Sequence, residues 1–276
     1  MIIKEANYFY EVILLKFYDC RVRYGSHIAG GSYTPCHTID DLVKTIRNAG
    51  LSGAIVYSYM TDTAGVIIGN DNLRKDIARQ KTENPDIELI GAYTIVPSCT
   101  NETVQPDELP AFMKENGFGV IRLNPSAHKY LCVSHTIGDY LQMANDKKIP
   151  VLLDAGPTIN HDTGMTLEQA DGILRDFPEL TAILYYDNVW PNDRFIRPLL
   201  KQYKNLCLNT AHFVVDGAYE ECVEMFGDAR FMHGSCFPDM YMACGVLSIV
   251  HAEIPEESKQ AIASGNLLRV VKGWVA

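Results

Sequence analysis

Two arginines two residues apart, Arg21 and Arg23, lie in the stretch Phe17-Tyr18-Asp19-Cys20-Arg21-Val22-Arg23-Tyr24-Gly25. In an extended strand, side chains two apart share a face, so Asp19, Arg21 and Arg23 point one way and Tyr18, Cys20 and Val22 the other. Two converging guanidiniums call for an anion, because a buried cation is tolerated only when a negative group answers it. An edge strand with solvated arginines is the alternative. Further reactive groups recur where strands are expected to end: Arg122 before Leu123-Asn124-Pro125, Asp154 before Ala155-Gly156, then Tyr186-Asp187-Asn188, Asn209-Thr210-Ala211-His212 and His233-Gly234-Ser235-Cys236-Phe237-Pro238-Asp239. Arginine grips carboxylate or phosphate bidentately, carboxylates and histidines move protons, and a cysteine can attack. Each group also has a structural reading. Asp154 could accept turn amides, Asp187 could cap a helix, His212 and His233 could be hydrogen-bonded scaffold, and Cys236 could simply pack.

Groups spread this widely along the chain can meet only if a regular frame brings strand ends together. Apolar and β-branched runs predict strands over 17–23, 53–59, 87–96, 119–123, 149–154, 181–186, 206–209 and 230–235. Helical spacing falls between them, over 40–48, 70–82, 106–115, 137–146, 167–176, 193–203 with an interruption at Pro198, and 216–226; 255–263 and 267–271 close the chain. Thr38 followed three residues later by Asp41 reads as a helix start. Eight strands alternating with helices in 276 residues predict an α/β fold, a single (β/α)8 TIM-like barrel spanning 1–276 as one domain. In that fold chemistry gathers at the carboxyl ends of the strands, where the polar residues above fall. A doubly wound sheet is the competitor, but no GxGxxG or GxxxxGK[ST] follows any strand. Residues 1–16 carry no chemistry, and 25–37 form a loop long enough to cover a site.

The composition narrows the partners. A net charge of −10 and a pI near 5.2 argue against nucleic acid or an anionic membrane, so any positive patch must be local. No apolar run approaches the ~20 residues of a membrane span, and 12–15 is too short and too closely flanked by charge for a signal peptide, which points to the cytoplasm. The eight cysteines are scattered without a CxxC pair, as expected of reduced thiols rather than a disulfide or zinc-ribbon framework. A homodimer is compatible with a barrel of this size, although no apolar outer helix face identifies one.

The order of several segments resembles the amidohydrolase superfamily, specifically the amidohydrolase-related family 2 barrels. The likeness rests on the first strand leading to Gly25, Gly69-Asn70-Asp71, the strand between Pro85 and Pro97, Ile121-Arg122-Leu123-Asn124-Pro125, Ile149-Pro150-Val151-Leu152-Leu153, Gly234-Ser235-Cys236-Phe237-Pro238 and Gly265-Asn266. The resemblance implies a divalent metal bound by an HxH on strand one, histidines after strands five and six, and an aspartate after strand eight. Here those positions fall on Arg21 and Arg23, on Asp154, on Tyr186 or Asp187, and on Cys236. Arginine cannot become a metal ligand, so the expectation is no metal and no other cofactor. A zinc-bound water has a pKa near 7 against about 15.7 in bulk, and without that help amide hydrolysis is implausible. Lactone or ester opening, or decarboxylation of an activated carbon acid, remains open, and the family's relatives include metal-independent lactonases.

Two readings of function follow. In the first the chain is a metal-independent hydrolase or lyase on a small anionic substrate held by Arg21, Arg23 and Arg122. Asp154 or Asp187 would act as general base and Tyr186 or His212 as oxyanion donor, with Cys236 as nucleophile in a variant. In the second, the loss of every former ligand position marks a catalytically silent barrel that binds a small anion.

Overall fold

The computed structural model describes residues 15–25, 36–155, 165–186 and 193–275. Eight strands, β1 (Tyr18–Tyr24), β2 (Gly53–Ser58), β3 (Glu88–Ile95), β4 (Phe118–Leu123), β5 (Val151–Ala155), β6 (Ala182–Tyr186), β7 (Leu206–Asn209) and β8 (Phe231–Met232), pair in parallel in sequence order. The two outer strands meet as well: Cys20 N–H donates to His233 O (2.8 Å) and Arg23 N–H to Phe237 O (3.1 Å). The expected (β/α)8 barrel is therefore the observed fold.

Its two larger apolar cores explain the strand sequences. One core lies between strands and helices and takes Val56, Ile121, Leu153 and Leu184, together with helix residues such as Leu42, Leu73 and Leu141. The other takes residues from all eight strands, among them Ile55, Ile90, Val120, Leu152, Ile183, Cys207 and Met232, with Leu267 and Val271 of the last helix, Asn266–Val275. A cluster fed by every strand is the barrel lumen, filled with side chains as such barrels require. The parallel strands read as near-continuous apolar runs because both faces are buried.

Strand β1 departs from strict alternation. Asp19 pairs with Ala54 but Val22 with Val56, three steps on β1 against two on β2, so one extra residue is bulged between them. Tyr18 and Cys20 therefore join the lumen cluster, while Val22 packs under the helices. The expectation that Cys20 shares a face with Val22 is corrected: the bulge puts Cys20 and, above it, Arg21 and Arg23 on the inward side.

Most helices begin and end near their sequence signals. The first, α1 (Ile39–Asn48), starts on the Thr38/Asp41 capping box, in which the hydroxyl and carboxylate satisfy otherwise orphan amides. The segment Asp193–Gln202 runs as one helix with Pro198 inside it, so the expected interruption does not occur. Four elements went unanticipated: the short helices α2 (Met60–Thr63) after β2 and Pro125–His128 after β4, the 3-10 turn Ser98–Thr100 after β3, and the apolar helix Met242–His251. A single turn carries too few residues to show a period. Strand β8 is shorter than expected because residues 233–235 leave the ladder to form the loop that carries Cys236.

Candidate functional site

One step up each strand from the apolar lumen the chemistry changes. Arg122 lies two residues beyond Val120, Asp154 two beyond Leu152, Tyr185 two beyond Ile183 and Asn209 two beyond Cys207, so period-two alternation carries all of them into the barrel mouth. Arg21 forks onto Asp154, with Nε donating to Oδ1 (2.8 Å) and Nη2 to Oδ2 (3.3 Å). Arg122 forks onto Asp62 through Nη1 (2.7 Å) and Nη2 (2.9 Å), and its Nε lies 3.4 Å from Asp154 Oδ2. Asp154 thus joins two guanidiniums. The ring of Tyr57 supports both, with Arg122 stacked at 3.9 Å and Arg21 at 5.5 Å.

Arg23 is held differently. Its Nη2 donates to Asp239 Oδ1 (2.6 Å) and its guanidinium stacks on Tyr59 (4.8 Å), while its buried Nη1 has no hydrogen-bond partner among the described residues. The second oxygen of Asp239 lies 4.0 Å from Cys236 Sγ. That sulfur is also 2.9 Å from the Tyr185 hydroxyl and 3.5 Å from Arg21 Nη1, and the Tyr185 hydroxyl is 3.1 Å from His212 Nε2. A connected row therefore runs from His212 through Tyr185 and Cys236 to Arg21.

Two local devices hold this arrangement. Asp19 Oδ1 accepts from Arg21 N–H (2.9 Å) and Oδ2 from Ser235 N–H (3.0 Å), stapling the β1 bulge to the loop after β8. Gly234 packs so tightly on Asn209 that a Cβ there would fall 2.4 Å from its Nδ2, so any larger residue would displace the Asn209 amide. On the opposite side, a Cβ at Gly69 would fall 2.2 Å from Thr61 N, which presses the α2 turn bearing Asp62 onto helix α3 (Val66–Glu83).

The charges largely cancel. Burial alone would raise the pKa of Asp62, but the Arg122 guanidinium and His128 outweigh it and hold the carboxyl well below its usual range. Burial works against the charge on Arg21 too, and Asp154, Tyr57 and Cys236 more than offset it, so its pKa lies well above the ordinary value. Asp19 differs: burial lifts it to about 7 despite the amides of Ser235 and Arg21.

The structure brings Arg21, Arg23, Arg122, Asp154, Cys236 and His212 to one mouth. Tyr186 does not join them; it packs with the core beneath the helices, and Tyr185 takes the inward place because β6 pairs Asp154 with Tyr185 and Ala155 with Tyr186. Asp187 lies outside the described residues, as do 26–35 of the loop expected to cover the site. The arginines face inward, but the anions answering Arg21 and Arg122 are the chain's own carboxylates. Asp154 correspondingly spends both oxygens on guanidiniums, a poor arrangement for the general base expected of it. Asp62, Tyr57 and Tyr185 were missed. Tyr185 is told from Tyr186 only by its register against β5, and nothing in the sequence marks Asp62 on its single turn.

The donor set does not suit the metal that the resemblance implies. Two of its positions are guanidiniums, Asp154 is ion-paired through both oxygens, and among the described residues no group of three His, Cys, Asp or Glu could hold a metal ion. No described helix is long and apolar enough to cross a membrane.

No family model and no curated protein matches the sequence. Solved structures do resemble it. A 5-carboxyvanillate decarboxylase from Sphingomonas paucimobilis is 14% identical with a TM-score of 0.66, over 94% of this chain and 99% of that one. A 4-oxalomesaconate hydratase from Rhodopseudomonas palustris is 17% identical with a TM-score of 0.62, over 93% and 95%. A putative amidohydrolase from Staphylococcus aureus is 12% identical with a TM-score of 0.66, over 94% and 100%. These neighbours are enzymes, and what they share with this chain at such identity is the fold: a (β/α)8 barrel of the shape found in amidohydrolase-superfamily decarboxylases, hydratases and hydrolases.

Proposed function

We propose that the chain is a hydrolase or lyase that acts on a small anionic substrate without a catalytic metal. The observation that carries this reading is Arg23: a buried guanidinium at the barrel mouth, fixed by Asp239 and Tyr59, with Nη1 left for a ligand. A substrate carboxylate taking that nitrogen would gain a charge-assisted hydrogen bond to a donor already buried. Arg21 and Arg122 serve as fixed cations at the reacting end, and Asp154 and Asp62 hold them in place. Proton movement falls to His212 and Tyr185, which are in contact with each other. Structural neighbours support the substrate class, since 5-carboxyvanillate, 2,6-dihydroxybenzoate and 4-oxalomesaconate, the compounds in their names, are all carboxylates.

A silent anion-binding barrel is the second reading, favoured by the engagement of both Asp154 oxygens. Turnover separates the two. Chelator-treated protein assayed on carboxylate-bearing lactones, activated esters and aromatic acids should show activity that Arg23→Met weakens mainly through KM. Activity that disappears with chelator and returns with zinc overturns the metal-independent reading, and ligand-dependent thermal shifts without turnover establish the silent one.

A further inference from the structure

We propose that Cys236 is a covalent nucleophile and that the substrate is an ester or lactone bearing a carboxylate, opened through a thioester on Sγ. This rests on the metal-independent reading and names its substrate class and its attacking atom.

Cys236 differs from the buried thiols Cys20, Cys132 and Cys207. Cys20 and Cys207 belong to the apolar lumen, and burial pushes Cys207 up to about 11; Cys132 packs under the helices, and burial takes it to about 12. Around Cys236 there is instead a phenol hydroxyl, a guanidinium and a carboxylate. Its backbone is strained as well: φ is +58°, a left-handed conformation that a residue with a Cβ rarely adopts. The surrounding loop enforces it, with Ser235 N–H on Asp19 (3.0 Å), Phe237 N–H on Ser235 Oγ (3.1 Å) and Asp239 N–H on Cys236 O (3.0 Å).

An independent observation marks where the substrate's other end belongs. Arg23 Nη1 is buried and without a hydrogen-bond partner among the described residues, and its Nη2 shares Asp239 with Cys236. The free donor and the thiol therefore flank one carboxylate, close enough for a short acyl chain to reach from one to the other.

The reaction balances with water alone. The thiol proton passes to the Tyr185 oxygen as the Tyr185 proton moves to His212 Nε2, and the sulfur forms a bond to the acyl carbon. The carbonyl electron pair moves onto oxygen beside Arg21 Nη1. Collapse restores the carbonyl and breaks the C–O bond, and the leaving alkoxide takes the proton back from His212. Water then attacks the thioester and gives its proton to His212 by the same route. The C–S bond breaks, the thiol is restored, and ester plus water has become acid plus alcohol.

The test uses the full chain, treated with chelator, and the carboxylate-bearing activated ester 4-nitrophenyl hydrogen succinate. The expected result is a burst of about one nitrophenolate per chain, with one succinyl mass on the peptide containing Cys236 after acid quench. Cys236→Ala should abolish burst and label and lower turnover by about 10³-fold or more. Tyr185→Phe should cut kcat by about 10²-fold with little change in KM. Succinate should still raise the melting temperature of both variants, which shows that each has folded. A burst or label that survives in Cys236→Ala, or maps to another residue, overturns the nucleophile and leaves the enzyme standing. Wild-type protein that binds succinate but neither labels nor turns over overturns both in favour of the silent barrel. Activity that requires zinc overturns both in favour of a metal enzyme.

Discussion

Two layers of the same lumen are built on opposite principles. The lower one, from Ile55, Val120, Leu152, Ile183 and Met232, is held by apolar burial, which is tolerant of detail because it has no direction. The upper one is an ionic lattice at nearly the same burial, with Arg122 and Asp154 two residues further along their strands, Arg21 at the β1 bulge and Asp62 on the α2 turn. Desolvating those four charges costs more than apolar packing of similar volume would, so the upper layer adds little net stability while fixing geometry closely. The lower layer secures the barrel, and the upper layer spends some of that security on a site.

Breaking the lattice on one side should have the largest effect. Asp154→Ala leaves Arg21 and Arg122 short of a counter-charge, and urea unfolding should show a loss of about 3–5 kcal/mol. Arg21→Met combined with Asp154→Leu should be much less harmful, because both charges leave together; a double variant as unstable as the single one would mean that the lattice is a principal source of stability. In the lower layer, Leu152→Ala should cost about 3 kcal/mol by the same measurement. If it fell below about 1 kcal/mol, the lumen would not be packed as described.

A third prediction concerns pH at the seam where β8 meets β1. Burial holds His233 neutral with a pKa of about 4, below the ordinary 6.5, and its ring packs edge-on to Phe17. The unfolded chain therefore binds the extra proton between about pH 6.5 and 4, and stability falls as pH drops through that window, by about 3 kcal/mol at most. Across the seam the slope reverses. The native state holds Asp19's proton up to about pH 7, whereas the unfolded chain releases it near 4, so this group's contribution declines as pH rises between those values. His233→Phe should flatten the acid side of the stability curve, and an unchanged acid limb would show that the ring is already charged or hydrated. The smallest effect belongs to the surface: Arg47→Ala, which breaks an exposed pair with Asp86, should change stability by no more than about 0.5 kcal/mol.

Most of the frame could be read from the chain because the strands are largely buried on both faces and helices such as Ile39–Asn48 and Leu167–Asp176 carry a clear apolar stripe. What escaped reading depended on single-residue events. The bulge in β1 comes from one extra residue whose placement is decided by pairing with β2, which no local pattern records. Tyr185 and Tyr186 are the same residue type one position apart, and only register against Asp154 and Ala155 tells which enters the lumen. Asp62 is remote in sequence from Arg122 and reaches it through a helix of four residues. Grouping arginines at strand ends was possible from sequence. Finding that the chain supplies their anions itself was not, since ion pairing is a property of distances and not of residue types.

That self-neutralisation bears on how the proposed anionic substrate would arrive. With its three site cations matched by Asp154, Asp62 and Asp239, the mouth casts little positive potential outward, while the chain as a whole carries −10. An anion diffusing in from beyond roughly 10 Å therefore meets repulsion first and feels Arg23 only on arrival, so added electrolyte, by shortening the reach of that repulsion, should speed capture rather than slow it.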